Sequence, residues 1–479
     1  MATRELTLSF FRLFIGVLCL TALPSFANDT STWQPCHVDN VSMRLECMTI
    51  EVPKQTQDPA NTFSIHIVKV AAAKSNIYAD PLLFLAGGPG QAASDVVASV
   101  LPAFRRTQTQ RDIYFIDQRG TGKSEPLFCD EPIIDALLQE IGSNQTINET
   151  QDCAALLNDQ LGYFSTEQSV DDLEFIRKQL NIPQFNLYGG SYGTRIAQVY
   201  MRKYPEAIRS VILDAVVPMN FAIGDFDASV NASWLGLLDQ CSQHSACQQV
   251  FPDLAGLMQL AQETLSTATI VELPHPTQGN NIEPKISNLQ FLSSLRSMLY
   301  HPSTRALIPY TIKATSEGDY RPLLSQLSLA QNQRIATGLF LEITCNEDFD
   351  LWQQSERTAY DFDNGVLSEQ YQLMCEHWPK NKQNYAFDRS PVISDIPTLL
   401  ISGEYDPVTP PSNAVEVANG LSNHRHIVVK GAAHTALFHS CLSTSIDKFI
   451  DSAEVDRLEV SCLEDAQPHW FMTGINLIE

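Results

Sequence analysis

The chain has 479 residues, of which 44% are hydrophobic and 18% are charged, a balance typical of a folded globular protein rather than a disordered one. This length allows a large core and one or two structural units. The formal net charge of −24 argues against binding to nucleic acid or to an anionic membrane surface, because phosphate groups would be repelled.

The first 27 residues have the features of a secretory signal peptide. Arg4 and Arg12 precede a short apolar run at 13–20, and Ser25-Phe26-Ala27 resembles a cleavage site. The run is short for a membrane-spanning helix, and no later stretch approaches the roughly 20 apolar residues that such a helix needs. We therefore expect an exported protein, periplasmic or secreted, with no stable membrane insertion.

Ten cysteines remain when Cys19 is removed with the signal peptide. An even number in an exported chain favours disulfide bonds over free thiols. No C-x-x-C pair or H-x-x-x-H cluster suggests a zinc site, so we expect no metal and no other cofactor. The cysteines follow one another in close pairs, which predicts five bonds: Cys36–Cys47, Cys129–Cys153, Cys241–Cys247, Cys345–Cys375 and Cys441–Cys462.

Short strand-like segments alternate with helical patterns, as expected of an α/β protein with a mostly parallel sheet flanked by helices. Residues 63–70 alternate in period two, whereas 82–85 and 113–116 are continuous apolar runs suited to buried central strands. Further strands are predicted at 185–188, 211–213, 398–401 and 426–429.

The first candidate functional loop is the glycine-rich stretch 86–90, directly after the strand at 82–85. Glycines let the main chain approach a substrate closely. Backbone N–H groups of such a loop can stabilise the negative charge that develops on a substrate oxygen. Gly88 is our candidate for one oxyanion donor, and the amide of Tyr192 is the candidate for the second. A plain turn is the alternative interpretation.

Ser191 is the candidate nucleophile. It lies in Gly189-Gly190-Ser191-Tyr192-Gly193, a G-x-S-x-G match, between a predicted strand and a helix-like run at 194–200. Strand, sharp glycine-flanked turn and helix is the context of a nucleophile elbow. Small neighbours permit the strained turn that exposes the serine hydroxyl. The motif therefore predicts a serine hydrolase, with an ordinary glycine-rich loop as the alternative.

The pattern changes between residues 219 and 390, where apolar residues recur at helical spacing, as in 254–261 and 291–295. This segment follows a strand end and contains 19 acidic residues against 10 Lys and Arg. We interpret it as a helical cap inserted over the site. The predicted organisation is a signal peptide (1–27), a first core part (28–218), the cap (219–390) and a second core part with the C-terminal disulfide (391–479).

Asp406 and His434 follow the last two predicted strands, which completes the chain order of serine, acid and histidine. The Asp406 carboxylate would accept a hydrogen bond from the imidazole and hold one tautomer. His434, in a loop of small residues, would take the Ser191 proton and return it to the leaving group. Glu404 is the competing acid, and His439 is the alternative base.

These motifs resemble those of the proline iminopeptidase family of α/β-hydrolase serine peptidases. The resemblance is carried by Gly87-Gly88-Pro89-Gly90 and by Asp117-Gln118-Arg119-Gly120-Thr121-Gly122-Lys123-Ser124. Within the family, Gly190-Ser191-Tyr192-Gly193-Thr194, Asp406-Pro407-Val408-Thr409-Pro410 and the tail pair Cys441 and Cys462 look like the secreted bacterial tripeptidyl aminopeptidases. The similarity runs from about Cys36 to Cys462, strong at the motifs and weak in the cap.

The resemblance implies an α/β-hydrolase fold with an inserted cap, and it implies the nucleophile, acid, base and oxyanion roles assigned above. Asp117 and Arg119 would brace the loops of the site rather than take part in chemistry. One departure is Ala86, because many iminopeptidases carry histidine before the two glycines.

An aminopeptidase must also hold the free α-ammonium group of its substrate, which calls for carboxylates at a fixed distance from the nucleophile. Glu342, Glu347 and Asp348 lie in the acidic cap next to the predicted Cys345–Cys375 bond. Our hypothesis is that one of them binds the substrate N-terminus. A solvated acidic surface is the alternative.

The sequence thus predicts an exported serine aminopeptidase that releases short N-terminal fragments, expected to be tripeptides, from peptides with free N-termini. A proline iminopeptidase that releases one residue and a lipase or esterase with the same triad are the alternative enzymes. A catalytically silent binding protein on the same scaffold is the alternative outside enzymes.

Overall fold

The computed structural model describes residues 32–75, 77–129, 143–330, 335–352, 362–380, 387–439, 441–458, 460–464 and 470–474. The predicted signal peptide, residues 1–27, lies outside the described residues.

The described residues form thirteen strands, numbered in chain order. They are β1 (Gln34–Cys36), β2 (Leu45–Gln55), β3 (Asp58–Val70), β4 (Leu82–Leu85), β5 (Ile113–Ile116), β6 (Phe185–Gly190), β7 (Ile208–Asp214), β8 (Thr269–Ile270), β9 (Leu273–Pro274), β10 (Asn281–Ile282), β11 (Lys285–Ile286), β12 (Thr398–Gly403) and β13 (His424–Val429).

The helices of the same residues are also numbered in chain order. They are α1 (Val97–Val100), α2 (Ser143–Leu157), α3 (Thr166–Gln179), α4 (Tyr192–Lys203), α5 (Asp227–Gln243), α6 (Ser245–Val250), α7 (Leu254–Thr264), α8 (Asn288–Leu299), α9 (Pro302–Arg305), α10 (Ile308–Ser316), α11 (Arg321–Ala330), α12 (Thr337–Glu347), α13 (Phe349–Trp352), α14 (Val366–His377), α15 (Pro411–Ala418), α16 (Leu442–Ser452) and α17 (Ser461–Glu464). None of the helices within the described ranges is both long and apolar enough to cross a bilayer.

Nine strands form one central sheet in the order β1-β2-β3-β5-β4-β6-β7-β12-β13. The pairs from β1 to β5 are antiparallel, and the pairs from β5 through β13 are parallel. Strands β4, β5, β6 and β12 are buried along their whole length, which accounts for the continuous apolar sequences of β4 and β5. The parallel strands end at one edge of the sheet, so the loops that follow them meet there.

Apolar side chains cover the sheet on both faces. One face packs against α3 and α4 through residues such as Leu173 and Ile196, and the other packs against α16 through residues such as Phe449. The sheet is therefore enclosed between helical layers, the architecture of an α/β-hydrolase.

The chain between β7 and β12 consists mainly of helices α5 to α14. Part of it has a hydrophobic core of its own, which includes Trp234, Phe291 and Ile312. The four short strands β8 to β11, which the sequence analysis did not predict, pair as β8 with β11 and β9 with β10. We refer to residues 219–390 as the inserted segment.

Candidate active site

Ser191 lies between β6 and α4, at the carboxyl edge of the sheet. Its φ of 56° and ψ of −124° are outside the regions that serine normally adopts, as expected of a sharp turn between a strand and a helix. The turn is held by a hydrogen bond from the Ser191 N–H to the carbonyl oxygen of Asp214, at 2.9 Å, in the adjacent strand β7. The backbone of the turn therefore fixes the position of the Ser191 Cα atom, from which the side chain projects.

Glycine neighbours make this turn possible because the backbone is crowded on both sides. A Cβ atom at Gly189 would lie 2.5 Å from the carbonyl oxygen of Gly193, and one at Gly193 would lie 2.2 Å from that of Leu85. A Cβ atom at Gly87 would lie 3.1 Å from the Cβ of Ser191. The glycine-rich loop after β4 thus packs directly against the serine turn.

His434 and Asp406 are hydrogen-bonded to each other. The His434 Nδ1 atom lies 2.9 Å from Oδ2 and 3.0 Å from Oδ1 of Asp406. Asp406 Oδ1 also accepts the backbone N–H groups of Val408 and Thr409, and Oδ2 accepts the Thr409 hydroxyl. The carboxylate is thus buried and fixed by donors of its own loop, and it orients the imidazole ring.

Glu404, the competing acid, has a different partner. Its Oε2 atom accepts the backbone N–H of Gly431 at 2.9 Å, which steadies the loop leading to His434. A Cβ atom at Gly403 would lie 1.9 Å from the carbonyl oxygen of Ala433. The end of β12 and the loop before His434 are therefore in direct contact, and Asp406 is the acid that reaches the ring.

Asp214 connects the serine turn to the histidine loop, and the sequence analysis did not single it out. Its main-chain oxygen accepts the Ser191 N–H, while its carboxylate accepts the N–H groups of Ala436 and Leu437 at 2.9 Å each. The Tyr188 hydroxyl donates to the same carboxylate at 2.7 Å. One fully buried residue thus holds both loops, and its position at the end of β7 was the only signal in the sequence.

Backbone strain is concentrated at the same edge of the sheet. Ser191, Ala215 and Thr435 all have positive φ values, of 56°, 63° and 59°, although none is glycine. A Cβ atom at Gly190 would lie 4.0 Å from Cγ2 of Thr435. Gly190, next to the predicted nucleophile, thus lies near Thr435, next to the predicted base, and strained backbone of this kind gathers at functional sites.

The two predicted oxyanion donors lie in the glycine-rich loop after β4 and at the start of α4. Gly88 has a φ of 105°, a left-handed conformation that suits glycine, within the loop that contacts Ser191. Tyr192 is the first residue of α4, where backbone N–H groups have no partner within the helix. Its hydroxyl lies 2.8 Å from the Thr166 hydroxyl, which anchors the start of the helix.

The inserted segment contacts both sides of this site. The backbone N–H of His434 donates to the carbonyl oxygen of Tyr300 at 3.0 Å, and the rings of these two residues pack edge to face at 5.1 Å between centroids. On the other side, the N–H of Ala336 donates to the carbonyl oxygen of Gly90 at 2.9 Å.

Asp117 and Arg119 brace the loop after β5. Asp117 accepts the N–H and hydroxyl of Ser94 and the N–H of Lys123. Arg119 forms a two-point ion pair with Asp172, at 2.6 and 2.7 Å, and also donates to backbone carbonyls. Both are buried side chains that hold the fold around the site together.

The three carboxylates considered for the substrate ammonium group are buried, not solvated. Glu342 accepts hydrogen bonds from Gly162 N–H and Trp378 Nε1, and Glu347 accepts two from Thr166.

Asp348, the third of these acids, forms an ion pair with Arg195, whose Nη1 atom lies 2.9 and 3.0 Å from its two oxygens. Both side chains of this pair are fully buried. The structure therefore argues against ammonium binding by any of the three acids, because each carboxylate already accepts from donors of the chain itself.

Burial also changes the titration of one of these acids. It raises the pKa of Glu347 to about 7 from 4.5, against the opposing effect of the two hydrogen bonds from Thr166.

Four of the five predicted disulfide bonds are present. They are Cys36–Cys47, Cys129–Cys153, Cys241–Cys247 and Cys345–Cys375. Cys441 is also disulfide-bonded, and the side chain of Cys462, its predicted partner, lies outside the described residues.

Comparisons with known proteins agree with this fold. Two family models match the chain: the α/β hydrolase fold over residues 80–267 and TAP-like proteins over residues 360–462. The tripeptidyl aminopeptidase of Streptomyces lividans is 22% identical over 481 aligned positions, which cover 91% of this chain and 87% of that one.

Two further similar proteins are iminopeptidases by name. A putative proline iminopeptidase of Mycoplasma pneumoniae is 24% identical over 362 positions, covering 76% of this chain and 87% of that one. The crystal structure of a proline iminopeptidase from Mycobacterium smegmatis superposes with a TM-score of 0.38 at 15% identity, covering 85% of this chain and 98% of that one.

The order of strands around the serine turn, the TAP-like region at residues 360–462 and the relatives that span most of the chain lead to the same assignment. The chain is an α/β-hydrolase serine peptidase with a TAP-like region, and it is similar to proteins named tripeptidyl aminopeptidase and putative proline iminopeptidase.

Proposed function

We propose that this serine peptidase is an exported aminopeptidase that releases short fragments, tripeptides in the first instance, from the free N-termini of peptides. In this proposal Ser191 is the nucleophile, His434 is the base and Asp406 is the acid of a catalytic triad. The observation that carries it is the 2.9 Å contact between His434 Nδ1 and Asp406 Oδ2, in a loop whose Thr435 lies near Gly190 of the serine turn.

The reaction is acyl transfer to the serine and then to water. The Ser191 Oγ atom attacks the carbonyl carbon of the scissile peptide bond while its proton passes to His434 Nε2. The N–H groups of Gly88 and Tyr192 stabilise the resulting oxyanion. The carbon–nitrogen bond then breaks, the departing amine takes the proton from His434, and the N-terminal fragment remains as an ester on Ser191. Water, deprotonated by His434, hydrolyses this ester and restores the hydroxyl.

The inserted segment is proposed to act as a cap that limits access to short or unfolded peptides. This is supported by its contacts with both sides of the site, through Tyr300 on His434 and through Ala336 on Gly90. Such a cap would set the fragment length by the depth available beyond the scissile bond.

Export is proposed from the disulfide bonds together with the predicted signal peptide. Bonds of this kind form and persist in oxidising compartments and are rare in the reducing cytosol of most organisms.

A serine-directed fluorophosphonate probe tests the nucleophile. Wild type should be labelled at Ser191, and Ser191→Ala should lose both labelling and peptide hydrolysis. The matched control is Ser402→Ala, near the end of strand β12, where the hydroxyl contacts His426 at 3.0 Å. If Ser191→Ala were still labelled, Ser191 would be ruled out as the nucleophile.

Substrate comparison tests the activity itself. Free-amine tripeptide amides should be cleaved faster than their N-acetylated forms and faster than acyl esters, and mass spectrometry of peptide digests should show released tripeptides. Release of single residues would favour a proline iminopeptidase instead. Equal turnover of N-blocked peptides, or preference for acyl esters, would favour an esterase.

A further inference from the structure

The structure contains a cavity of about 230 Å³ within the described part of the inserted segment and α2. Its walls are formed by α2, α8, α12 and α14, and much of the lining is apolar, including Leu289, Leu341 and Met374. Pockets that enclose a whole small ligand usually measure ~300–1,000 Å³. This cavity is therefore suited to part of a larger substrate.

Two walls of the cavity continue directly to the candidate active site. Helix α8 ends at Leu299, and the next residue, Tyr300, accepts the backbone N–H of His434. Helix α12 begins at Thr337, and the residue before it, Ala336, donates to Gly90 in the glycine-rich loop. The cavity is thus flanked by elements that contact the predicted base on one side and the oxyanion loop on the other.

Arg296 introduces a positive charge into this lining. It is one helical turn before Tyr300 on α8, a rise of about 6 Å along the helix axis. Its Nη2 atom donates to the Tyr371 hydroxyl at 2.9 Å, and its guanidinium lies 5.4 Å from the Tyr371 ring centroid. Its Nε atom is buried and has no hydrogen-bond partner among the described residues.

The charge of Arg296 is incompletely compensated by these neutral partners. Asp363 and Asp227 are nearby acids, but Asp363 accepts the N–H groups of Gly365 and Leu367, and Asp227 accepts the Ser368 hydroxyl. Glu149, the other charged residue of the lining, is exposed and accepts from Gln145. A partly desolvated guanidinium in an apolar wall favours an anionic ligand, and a carboxylate matches its planar donors best.

We propose that this cavity is a substrate subsite in which Arg296 binds a carboxylate of the peptide. The carboxylate is either an acidic side chain close to the scissile bond or the C-terminal group of a short peptide. The inference rests on the proposed peptidase function, and it makes Arg296 a determinant of specificity rather than of the chemical step. The acidic surface of the protein opposes it only weakly, because long-range repulsion is screened within about 8–10 Å at physiological ionic strength.

The test uses pentapeptides with free N-termini that differ by Glu or Gln at one position, each made as a C-terminal acid and as an amide. Wild type should show kcat/KM ~10–100-fold higher for the carboxylate-bearing member of at least one pair, the gain typical of a charged hydrogen bond. A Glu-over-Gln preference identifies a side chain, and an acid-over-amide preference identifies the C-terminus. Equal values in every pair would overturn the proposal.

Substitution then assigns the preference to the guanidinium. Arg296→Gln should reduce the ratio to about one, whereas Arg296→Lys, which keeps the charge, should retain part of it. The matched control is Arg321→Gln, which should leave the ratio unchanged. Arg321 is an exposed arginine at the start of α11 that pairs with Asp319. Persistence of the preference in Arg296→Gln would also overturn the proposal.

Calorimetric binding of the same peptides to Ser191→Ala separates this inference from the proposed function, because it requires no turnover. The subsite is supported if the carboxylate-bearing peptides bind Ser191→Ala more tightly and the double variant Ser191→Ala/Arg296→Gln loses this difference. This result would hold even if the cleavage reaction were assigned wrongly. Equal binding of both members of every pair rejects the subsite even if peptides are cleaved.

Discussion

At the scale of single residues, the donors around each carboxylate decide which acid contacts His434. Both oxygens of Asp406 are held by Val408 and Thr409, whereas Glu404 is turned toward Gly431. The structure shows the hydrogen bond between Asp406 and His434 that the sequence predicted, because the place of Asp406 after β12 is set by topology, and the catalytic roles of the two residues stay a prediction. The sequence did not predict the local donors, which depend on how the loop folds.

Replacing Asp406 by Asn should therefore lower kcat/KM by about three to four orders of magnitude. The Asn oxygen would stay with the Val408 and Thr409 N–H groups, so its NH₂ group would face His434 and favour the wrong tautomer. Steady-state kinetics checks this, with Glu404→Gln as the matched control, expected within about twofold of wild type. A larger loss in Glu404→Gln than in Asp406→Asn would exchange the two roles.

Asp214→Asn should lower kcat by about 10–100-fold with little change in KM. An amide cannot accept from both Ala436 and Leu437, so the histidine loop would shift relative to the serine turn, and small misplacements of this kind are costly in rate. Tyr188→Phe removes one hydrogen bond and leaves both amide contacts, so it should cost less. Kinetics and fluorophosphonate labelling rates measure both, and an unchanged kcat in Asp214→Asn would contradict the positioning role.

At the scale of secondary-structure elements, the sequence was most informative for the central strands. Strands 82–85 and 113–116 were predicted with the bounds that the structure shows, because fully buried parallel strands require uninterrupted apolar residues. Strand β2 was not predicted, since Glu46, Glu51 and Pro53 interrupt its pattern. It lies near the antiparallel edge of the sheet, where polar residues and proline are tolerated.

The acids of α12 show a second limit of sequence interpretation. A carboxylate that pairs with buried donors is indistinguishable in sequence from one that faces solvent. Glu342, Glu347 and Asp348 bind partners at Gly162, Thr166 and Arg195, each at least 153 residues away in the sequence. Their structural role was therefore accessible only from the fold.

Glu347, at the end of α12, should make the free energy of unfolding depend on pH. The folded state binds a proton at Glu347 up to a pKa of about 7, whereas the unfolded state loses it near 4.5. Stability from this group is therefore complete below pH 4.5 and decreases as the pH rises toward 7, by up to ~3 kcal/mol. Glu347→Gln, which cannot ionise, should lack this decrease.

Urea unfolding of wild type and Glu347→Gln between pH 4.5 and 8 measures this difference. The two free energies of unfolding should converge or cross as the pH rises. Glu317→Gln, at an exposed ion pair with Lys313, is the matched control and should follow wild type. Parallel curves for wild type and Glu347→Gln would contradict the prediction.

At the scale of the whole molecule, the disulfide bonds should contribute unequally to stability. Cys345–Cys375 closes a loop of 30 residues and Cys241–Cys247 one of 6, and all four cysteines are buried. Chain entropy then predicts that removing the longer loop by a double Cys→Ser substitution costs about 1.4 kcal/mol more than removing the shorter one. Urea unfolding under oxidising conditions checks this, and an equal or reversed order would rule out loop length as the main factor.

The overall architecture was the part that the sequence predicted best, because the motifs at residues 87–90, 117–124 and 189–193 all follow strands of one sheet. The cavity beside Arg296 could not be predicted, since it is formed by four helices that are distant in sequence.

The attachments of α12 have a consequence for how substrates enter and products leave. Asp348 is paired with Arg195 of the sheet-flanking helix α4, Glu347 is held by Thr166, and Cys345 connects α12 covalently to α14. Swinging these two helices outward would expose or strand buried charges at a cost of several kcal/mol. We therefore expect α12 and α14 to stay in place while substrates reach Ser191 and products leave. Turnover should then depend on local side-chain and loop adjustments rather than on a hinged opening of the entire inserted segment.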